Sequence, residues 1–139
     1  MAALSPAEPK IVLRQFLAAR DAATNGWNIR WEVENLGSDT VNILSACLPH
    51  GQFKADEQQF TPALELPGGA SGQFQSLVHC AEPAGLVTEN AFVIFYCQWR
   101  GDAWRIFVRI RVTVNASGEP ETAIELITTQ KVGFSGIST

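Results

Sequence analysis

Two cysteines and two histidines have the spacing of metal ligands in this sequence. Cys47 and His50 flank the segment Leu-Pro, and His79 directly precedes Cys80. Zinc sites commonly combine four such side chains, with close pairs separated by a few residues. Adjacent strand residues point to opposite faces, so His79 and Cys80 share an ion only where a strand ends or bulges. The four are candidate metal ligands, with buried cysteines and surface histidines as the alternative.

Catalytic chemistry has weaker support. A serine or cysteine nucleophile usually takes a histidine as its base, and both histidines lie in or beside predicted turns, outside any recognisable motif. Glu32 and Glu34 lie on one face of one predicted strand, where a solvated charged face explains them better than a glycosidase pair. We therefore expect a non-catalytic chain that needs no cofactor.

The segment QWRGDAWR contains the tripeptide Arg100-Gly101-Asp102, which has the composition of an adhesion signal. Glycine followed by a small polar residue also suits a type II′ hairpin turn centred on Gly101 and Asp102. Trp99 would then oppose Trp104 on a face where every pair is apolar or a thiol. The further pairs on this core face are Cys97 with Ile106, Phe95 with Val108, and Val93 with Ile110. We therefore interpret the tripeptide as a hairpin closure.

The opposite face of this hairpin combines arginines with aromatic and aliphatic side chains. Its predicted pairs are Gln98 with Arg105, Tyr96 with Phe107, Ile94 with Arg109, and Phe92 with Arg111. Tyrosine, phenylalanine and arginine are enriched at protein interfaces. The alternative is an ordinary surface on which arginine stems cover the rings and the charged heads reach water. The candidate partner-binding residues are Phe92, Ile94, Tyr96, Arg105, Phe107, Arg109 and Arg111.

Short runs of alternating hydrophobicity, separated by turn residues, position all these side chains. They predict an all-β chain without helices, with strands at residues 10–19, 27–35, 41–48, 53–60, 73–79, 91–99, 103–114 and 122–129. Strands joined by short turns favour an antiparallel β-sandwich of seven to eight strands, with a small β-barrel as the alternative.

The hydrophobic pattern of each strand predicts where that strand lies in the sandwich. Trp27, Ile29, Trp31 and Val33 alternate with polar residues, which indicates one buried and one wet face. Residues 41–48 are apolar on both faces, which indicates a central strand that Pro49 ends. Residues 53–60 are weakly patterned, which indicates an edge strand. Because all four tryptophans fall on predicted core faces, a sugar-binding platform built from them would be buried.

Length and composition predict one domain. The 139 residues correspond to about one domain, which we assign to residues 10–134, with flexible segments at 1–9 and 135–139. The net charge of -4 disfavours nucleic-acid binding, and no apolar run has the length of a membrane span. Three cysteines fit reduced thiols better than a disulfide framework, although one bridge remains an alternative. The start lacks a signal-peptide pattern, so the expected location is cytoplasmic; if Met1 is an artificial start, the chain would be an exported or excised domain.

The segments WEVENLGSDTVNI and LELPGGASGQFQSLV combine strands with an Asn-x-Gly turn and a Leu-Pro-Gly turn. In this respect the chain resembles bacterial immunoglobulin-like and fibronectin-III-like modules, from Trp27 to about Val114. No cysteine lies in residues 27–35, so the bridge of antibody domains is not expected. The resemblance implies an immunoglobulin-like sandwich that binds macromolecules and implies no catalytic residues.

The expected function is therefore a binding or assembly module. Its partner would be another protein or a second copy of the chain, contacted through the outer face of the hairpin at residues 91–114. The alternative is a domain that binds a small ligand, a carbohydrate or a metal.

Overall fold

The computed structural model describes residues 7–132, which form eight β-strands and no helix. The strands are β1 (Ile11–Asp21), β2 (Gly26–Asn35), β3 (Val41–His50), β4 (Phe53–Leu66), β5 (Ser71–Val78), β6 (Val87–Trp99), β7 (Asp102–Val114) and β8 (Pro120–Val132). They form two antiparallel sheets, one in the order β1-β2-β5 and the other in the order β4-β3-β6-β7-β8. The predicted all-β sandwich is confirmed, and the sheets do not close into the alternative barrel.

The core lies between the two sheets and is built from the alternate residues of each strand. The predicted inner face of β2 is confirmed, because Trp27, Ile29, Trp31 and Val33 are all buried. Trp31 stacks on Phe74 of its own sheet at a ring-centroid distance of 6.3 Å. It also meets Phe53 of the opposite sheet edge-on at 6.4 Å. Aromatic rings therefore join the two sheets at the centre of the molecule.

The central position predicted for β3 is confirmed, since it lies between β4 and β6. A β-bulge at Leu44 accounts for its apolar residues on both faces. Ile43 pairs with Cys97 of β6, but the next pair is Ser45 with Tyr96. One extra residue reverses the alternation of faces, so that Ile43 and Ala46 are both buried in the core.

Several predicted strand ends were wrong, including the start of β6 and both ends of β8. β3 continues through Pro49 to His50, because β6 pairs with β3 only as far as Cys47. Beyond that point the proline has β4 as its neighbour, opposite Lys54, and its missing N–H interrupts no pairing with β6. β4, which lies at the sheet edge as predicted, extends beyond Phe60 to Leu66.

The register predicted for the β6–β7 hairpin was also wrong. The two turn residues are Arg100 and Gly101, with φ angles of 51° and 78°, and Trp99 pairs with Asp102. Positive φ at both positions is what a type I′ turn requires. Moving the turn by one residue shifts each cross-strand partner by two, so every side chain keeps its predicted face. Trp99 and Trp104 are diagonal neighbours, with ring centroids 5.8 Å apart.

Both charged side chains of the Arg-Gly-Asp tripeptide form ion pairs within the chain. Arg100 Nε donates to Asp39 Oδ2 at 2.6 Å, and its guanidinium lies 4.3 Å from the centroid of the Trp99 ring. Lys131 Nζ lies 3.2 Å from Asp102 Oδ2. These contacts tie the hairpin tip to the β2–β3 loop and to the end of β8.

The predicted terminal segments lie mostly outside the described residues. Residues 1–6 and 135–139 are not described, and neither are residues 133–134 of the assigned domain. Near the start of the described chain, the side chain of Thr129 on β8 hydrogen-bonds Glu8. Among residues 7–132 there is no helix with the length and hydropathy needed to span a membrane.

Candidate binding groove on the outer face of the large sheet

The seven predicted partner-binding residues lie on the outer face of β6 and β7. Their immediate neighbours along the strands, such as Val93, Phe95, Ile106 and Val108, are buried in the core. Alternation along a strand therefore points the seven away from the small sheet. Four of them line an open groove of about 600 Å³, together with residues from β3 and β4. The lining residues are Leu44, Ser45, Cys47, Glu57, Gln59, Ile94, Tyr96, Arg105 and Phe107.

One row of side chains crosses the groove at right angles to the strands. Arg105 on β7 pairs with Tyr96 on β6, Tyr96 pairs with Ser45 on β3, and Ser45 pairs with Gln59 on β4. Neighbouring strands lie about 4.8 Å apart, so this row spans roughly 14 Å. Every member carries a polar group, which makes this the hydrogen-bonding side of the groove.

A second row lies two residues further along each strand and is more apolar. It pairs Phe107 on β7 with Ile94 on β6, and Ile94 with Cys47 on β3. Leu44 also lines the groove, at the β3 bulge. All four side chains are half-buried. A groove with one polar and one apolar side can orient a ligand that carries a polar group and an apolar group at matching positions.

The arginines of this face differ in their ionic partners. Arg111 is 2.8 Å from Glu125 Oε2 and 3.2 Å from Glu89 Oε2, and Arg109 is 4.0 Å from Glu125 Oε1. These carboxylates compensate both arginines, and neither arginine lines the groove. Arg105 is exposed and makes no ion pair with any residue that the structure describes. Phe92, the remaining predicted residue, pairs with Arg109 outside the groove.

Two opposite charges lie on either side of Cys47. Burial raises the pKa of the Cys47 thiol, the negative charge of Glu57 raises it further, and the positive charge of Arg105 lowers it. Glu57 Oε2 also accepts a hydrogen bond from Ser45 Oγ at 2.9 Å. The groove therefore has a cation on its β7 side and a carboxylate on its β4 side.

The four candidate metal ligands lie in different places. Cys47 lines the groove, whereas His79 and Cys80 line a separate depression beside Gly51. His50 Nδ1 accepts a hydrogen bond from the Gln52 backbone N–H at 3.0 Å. Between residues 7 and 132, no group of three or more His, Cys, Asp or Glu side chains is arranged to hold a metal ion. All three cysteines are free thiols in the structure.

Cys97 lies on the core face of β6, directly behind the groove, and burial raises its pKa to about 12. An unfolded thiol ionises near pH 8.5. Between these two pH values the unfolded chain binds fewer protons than the folded one, so this thiol lowers stability as pH rises. We expect the free energy of unfolding of the wild type to fall by about 1.4 kcal/mol more per pH unit than that of Cys97→Ala across this range. Urea denaturation from pH 8 to 11 measures both slopes, and parallel curves would contradict the prediction.

Sequence reasoning missed the β3 and β4 side of the groove. Leu44, Ser45, Glu57 and Gln59 all line it, but the β3 bulge that orients the first two leaves no signature in a strand of apolar and small residues. The polar run Asp-Glu-Gln-Gln at residues 56–59 was the available signal. It is typical of any solvated edge strand and therefore did not indicate a site.

Of the predicted immunoglobulin-like fold, the structure shows the coarser feature, a β-sandwich of two antiparallel sheets. The groove lies on the exposed face of the larger sheet. Comparison with protein-family models, curated proteins and solved structures finds no match for this chain.

Proposed function

We propose that this chain is a non-catalytic, immunoglobulin-like binding module that contacts a protein partner, or a second copy of itself, through the groove across β4, β3, β6 and β7. The observation that carries the proposal is the half-buried apolar row of Phe107, Ile94, Cys47 and Leu44 on a face that the sandwich does not use for its own packing. Half-buried apolar side chains that line a groove together with a few polar groups are typical of binding sites.

The strand order supports the immunoglobulin-like assignment. If β1, β2 and β5 correspond to strands A, B and E of an immunoglobulin sandwich, then β4, β3, β6 and β7 correspond to C′, C, F and G. β8 is an additional strand beside G. Domains of this architecture commonly serve at cell surfaces and in assemblies, which is consistent with a binding role.

The composition of the groove supports a protein partner. Tyrosine, phenylalanine and arginine are enriched at protein interfaces, where tyrosine and arginine often contribute most of the binding energy. Tyr96, Phe107 and Arg105 are grouped within this single groove. Arg105, which makes no ion pair with a residue between positions 7 and 132, provides a polar anchor, and the neighbouring rings provide an apolar one.

Peptide selection tests the proposal. Random dodecapeptides displayed on phage are selected against the wild-type chain, and the dissociation constants of the enriched peptides are measured by fluorescence anisotropy. We expect Phe107→Glu to weaken binding by at least about tenfold, because it removes an apolar contact and adds a charge in the groove. Gln75→Glu, which makes the same charge change on exposed β5, should bind like the wild type.

Two further measurements complete this test. Thermal denaturation by circular dichroism checks that both variants fold, and sedimentation velocity compares their self-association with that of the wild type. The proposal is wrong if no peptide is enriched and the wild type stays monomeric, or if Phe107→Glu changes neither binding nor association.

A further inference from the structure

Building on the proposed function, we infer that the groove binds an extended peptide segment that carries a carboxylate next to an apolar side chain. The carboxylate lies at the β7 side, on Arg105, and the apolar side chain lies on the row formed by Phe107 and Ile94. The structural basis is the difference in ionic partners among the outer-face arginines, together with the two rows of side chains that cross the sheet.

Arg105 is the cation that a ligand can neutralise. Glu89 and Glu125 already compensate Arg109 and Arg111. The guanidinium of Arg105 instead lies 5.8 Å from the centroid of the Tyr96 ring. An arginine beside an aromatic ring keeps N–H donors for a planar carboxylate, which it binds through two parallel hydrogen bonds. The ligand group that satisfies this side of the groove is therefore a carboxylate.

Glu57 makes the β4 side of the groove negatively charged, opposite in sign to the β7 side. It lies on β4, three strands away from Arg105, and Ser45 Oγ donates a hydrogen bond to it. A second acidic group on the ligand would be repelled at this side, where neutral or basic groups are favoured. A polyanion such as a nucleic acid would meet one cation and one carboxylate in the groove of a chain with net charge -4. The charge arrangement therefore favours a peptide with one acidic end over a phosphate backbone.

The dimensions fit a short extended peptide. The polar row spans roughly 14 Å across four strands, which corresponds to about four extended residues. The polar and apolar rows are separated by two residues along the strands, or about 6.6 Å. A peptide that runs across the strands between the two rows has successive side chains pointing to opposite sides. An acidic residue can therefore reach Arg105 while the apolar residue next to it reaches the apolar row.

The experiment repeats the random dodecapeptide selection on the wild type, Arg105→Gln and Arg30→Gln. Arg30 is an exposed arginine on β2 of the other sheet, so its variant is a matched loss of charge away from the groove. We expect aspartate and glutamate to be enriched over the unselected library with the wild type and Arg30→Gln, and not with Arg105→Gln. Resynthesised peptides with the acidic residue changed to its amide should bind the wild type about tenfold more weakly and Arg105→Gln about equally.

Glu57→Lys provides an independent check, because it should also enrich peptides with a second acidic residue. Backbone amide shifts in NMR spectra locate each peptide on the protein. If peptides shift groove amides without any acidic preference, or if that preference survives in Arg105→Gln, the inference is overturned and the proposed function stands. If no enriched peptide shifts groove amides, the inference is overturned, and the proposed function is overturned with it if the wild type is also monomeric.

Discussion

Replacing Trp31 with alanine is expected to lower the free energy of unfolding by about 3 to 5 kcal/mol. The indole is 1% exposed, stacks on Phe74 and meets Phe53 of the opposite sheet edge-on. Trp31 Nε1 is buried and makes no hydrogen bond with any residue that the structure describes. The cost therefore comes from lost packing and the cavity left between the sheets. Since domains of this size are stable by about 5 to 15 kcal/mol, the variant should lose a substantial fraction of the total stability.

Urea denaturation followed by far-ultraviolet circular dichroism measures this loss independently of indole fluorescence. Leu36→Ala is the control for side-chain truncation, because Leu36 is 58% exposed in a loop; its effect should stay within about 0.5 kcal/mol. Trp31→Phe should lose less than the alanine variant, since an aromatic ring remains and no polar atom is buried. A loss below about 1 kcal/mol in Trp31→Ala would mean that the aromatic contact between the sheets does not hold the sandwich together.

Replacing Asn35 with alanine is expected to cost about 2 to 4 kcal/mol. This side chain is fully buried at the end of β2. Its Nδ2 donates to the carbonyl oxygens of Asp39 at 2.8 Å and Leu66 at 2.9 Å, and its Oδ1 accepts from the Gly37 N–H at 2.9 Å. The amide thus joins the β2–β3 loop to the end of β4 in the other sheet. Alanine leaves these backbone groups without their side-chain partner, and leaving a buried polar group unpaired costs more than the bond itself contributes.

The backbone of Gly68 packs closely against the same loop. A Cβ atom at Gly68 would lie 2.5 Å from the carbonyl oxygen of Ser38. Asn42→Ala is the matched control, because Asn42 is half-buried on β3 and makes no side-chain hydrogen bond that involves a described residue. Urea midpoints of the two variants give the comparison. Equal losses in Asn35→Ala and Asn42→Ala would show that the bridging hydrogen bonds are not the source of stability.

The faces of the long hairpin could be predicted from the sequence, but the position of its turn could not. The strict alternation from Val93 to Ile110 determines which side chains face the core, whichever two residues form the turn. A positive φ is unfavourable for Arg100 by about 1 to 2 kcal/mol. Its contacts with Trp99 and with Asp39, which is 61 residues away in the chain, offset this cost. A contact across that distance is visible only in the folded structure.

The β6 and β7 side of the candidate groove could likewise be predicted. Ile94, Tyr96, Arg105 and Phe107 follow from the alternation of β6 and β7. Their partners on β3 and β4 depend on the bulge at Leu44, which reorients Ser45 and Cys47 toward the outer face. A bulge depends on how two strands pair, and the sequence of one strand does not encode it.

By itself, the sequence determined the number of strands, the β-sandwich class, and which face of β2, β6 and β7 is buried. It could do so because alternating hydrophobicity is a local property of each strand. The tertiary structure decided which arginines are compensated, since Glu125 reaches Arg109 and Arg111 only where β8 pairs with β7. It also decided that four strands together form one groove with opposite charges on its two sides. Ion pairs and grooves depend on distances between residues remote in the chain, which are set only when the sheets assemble.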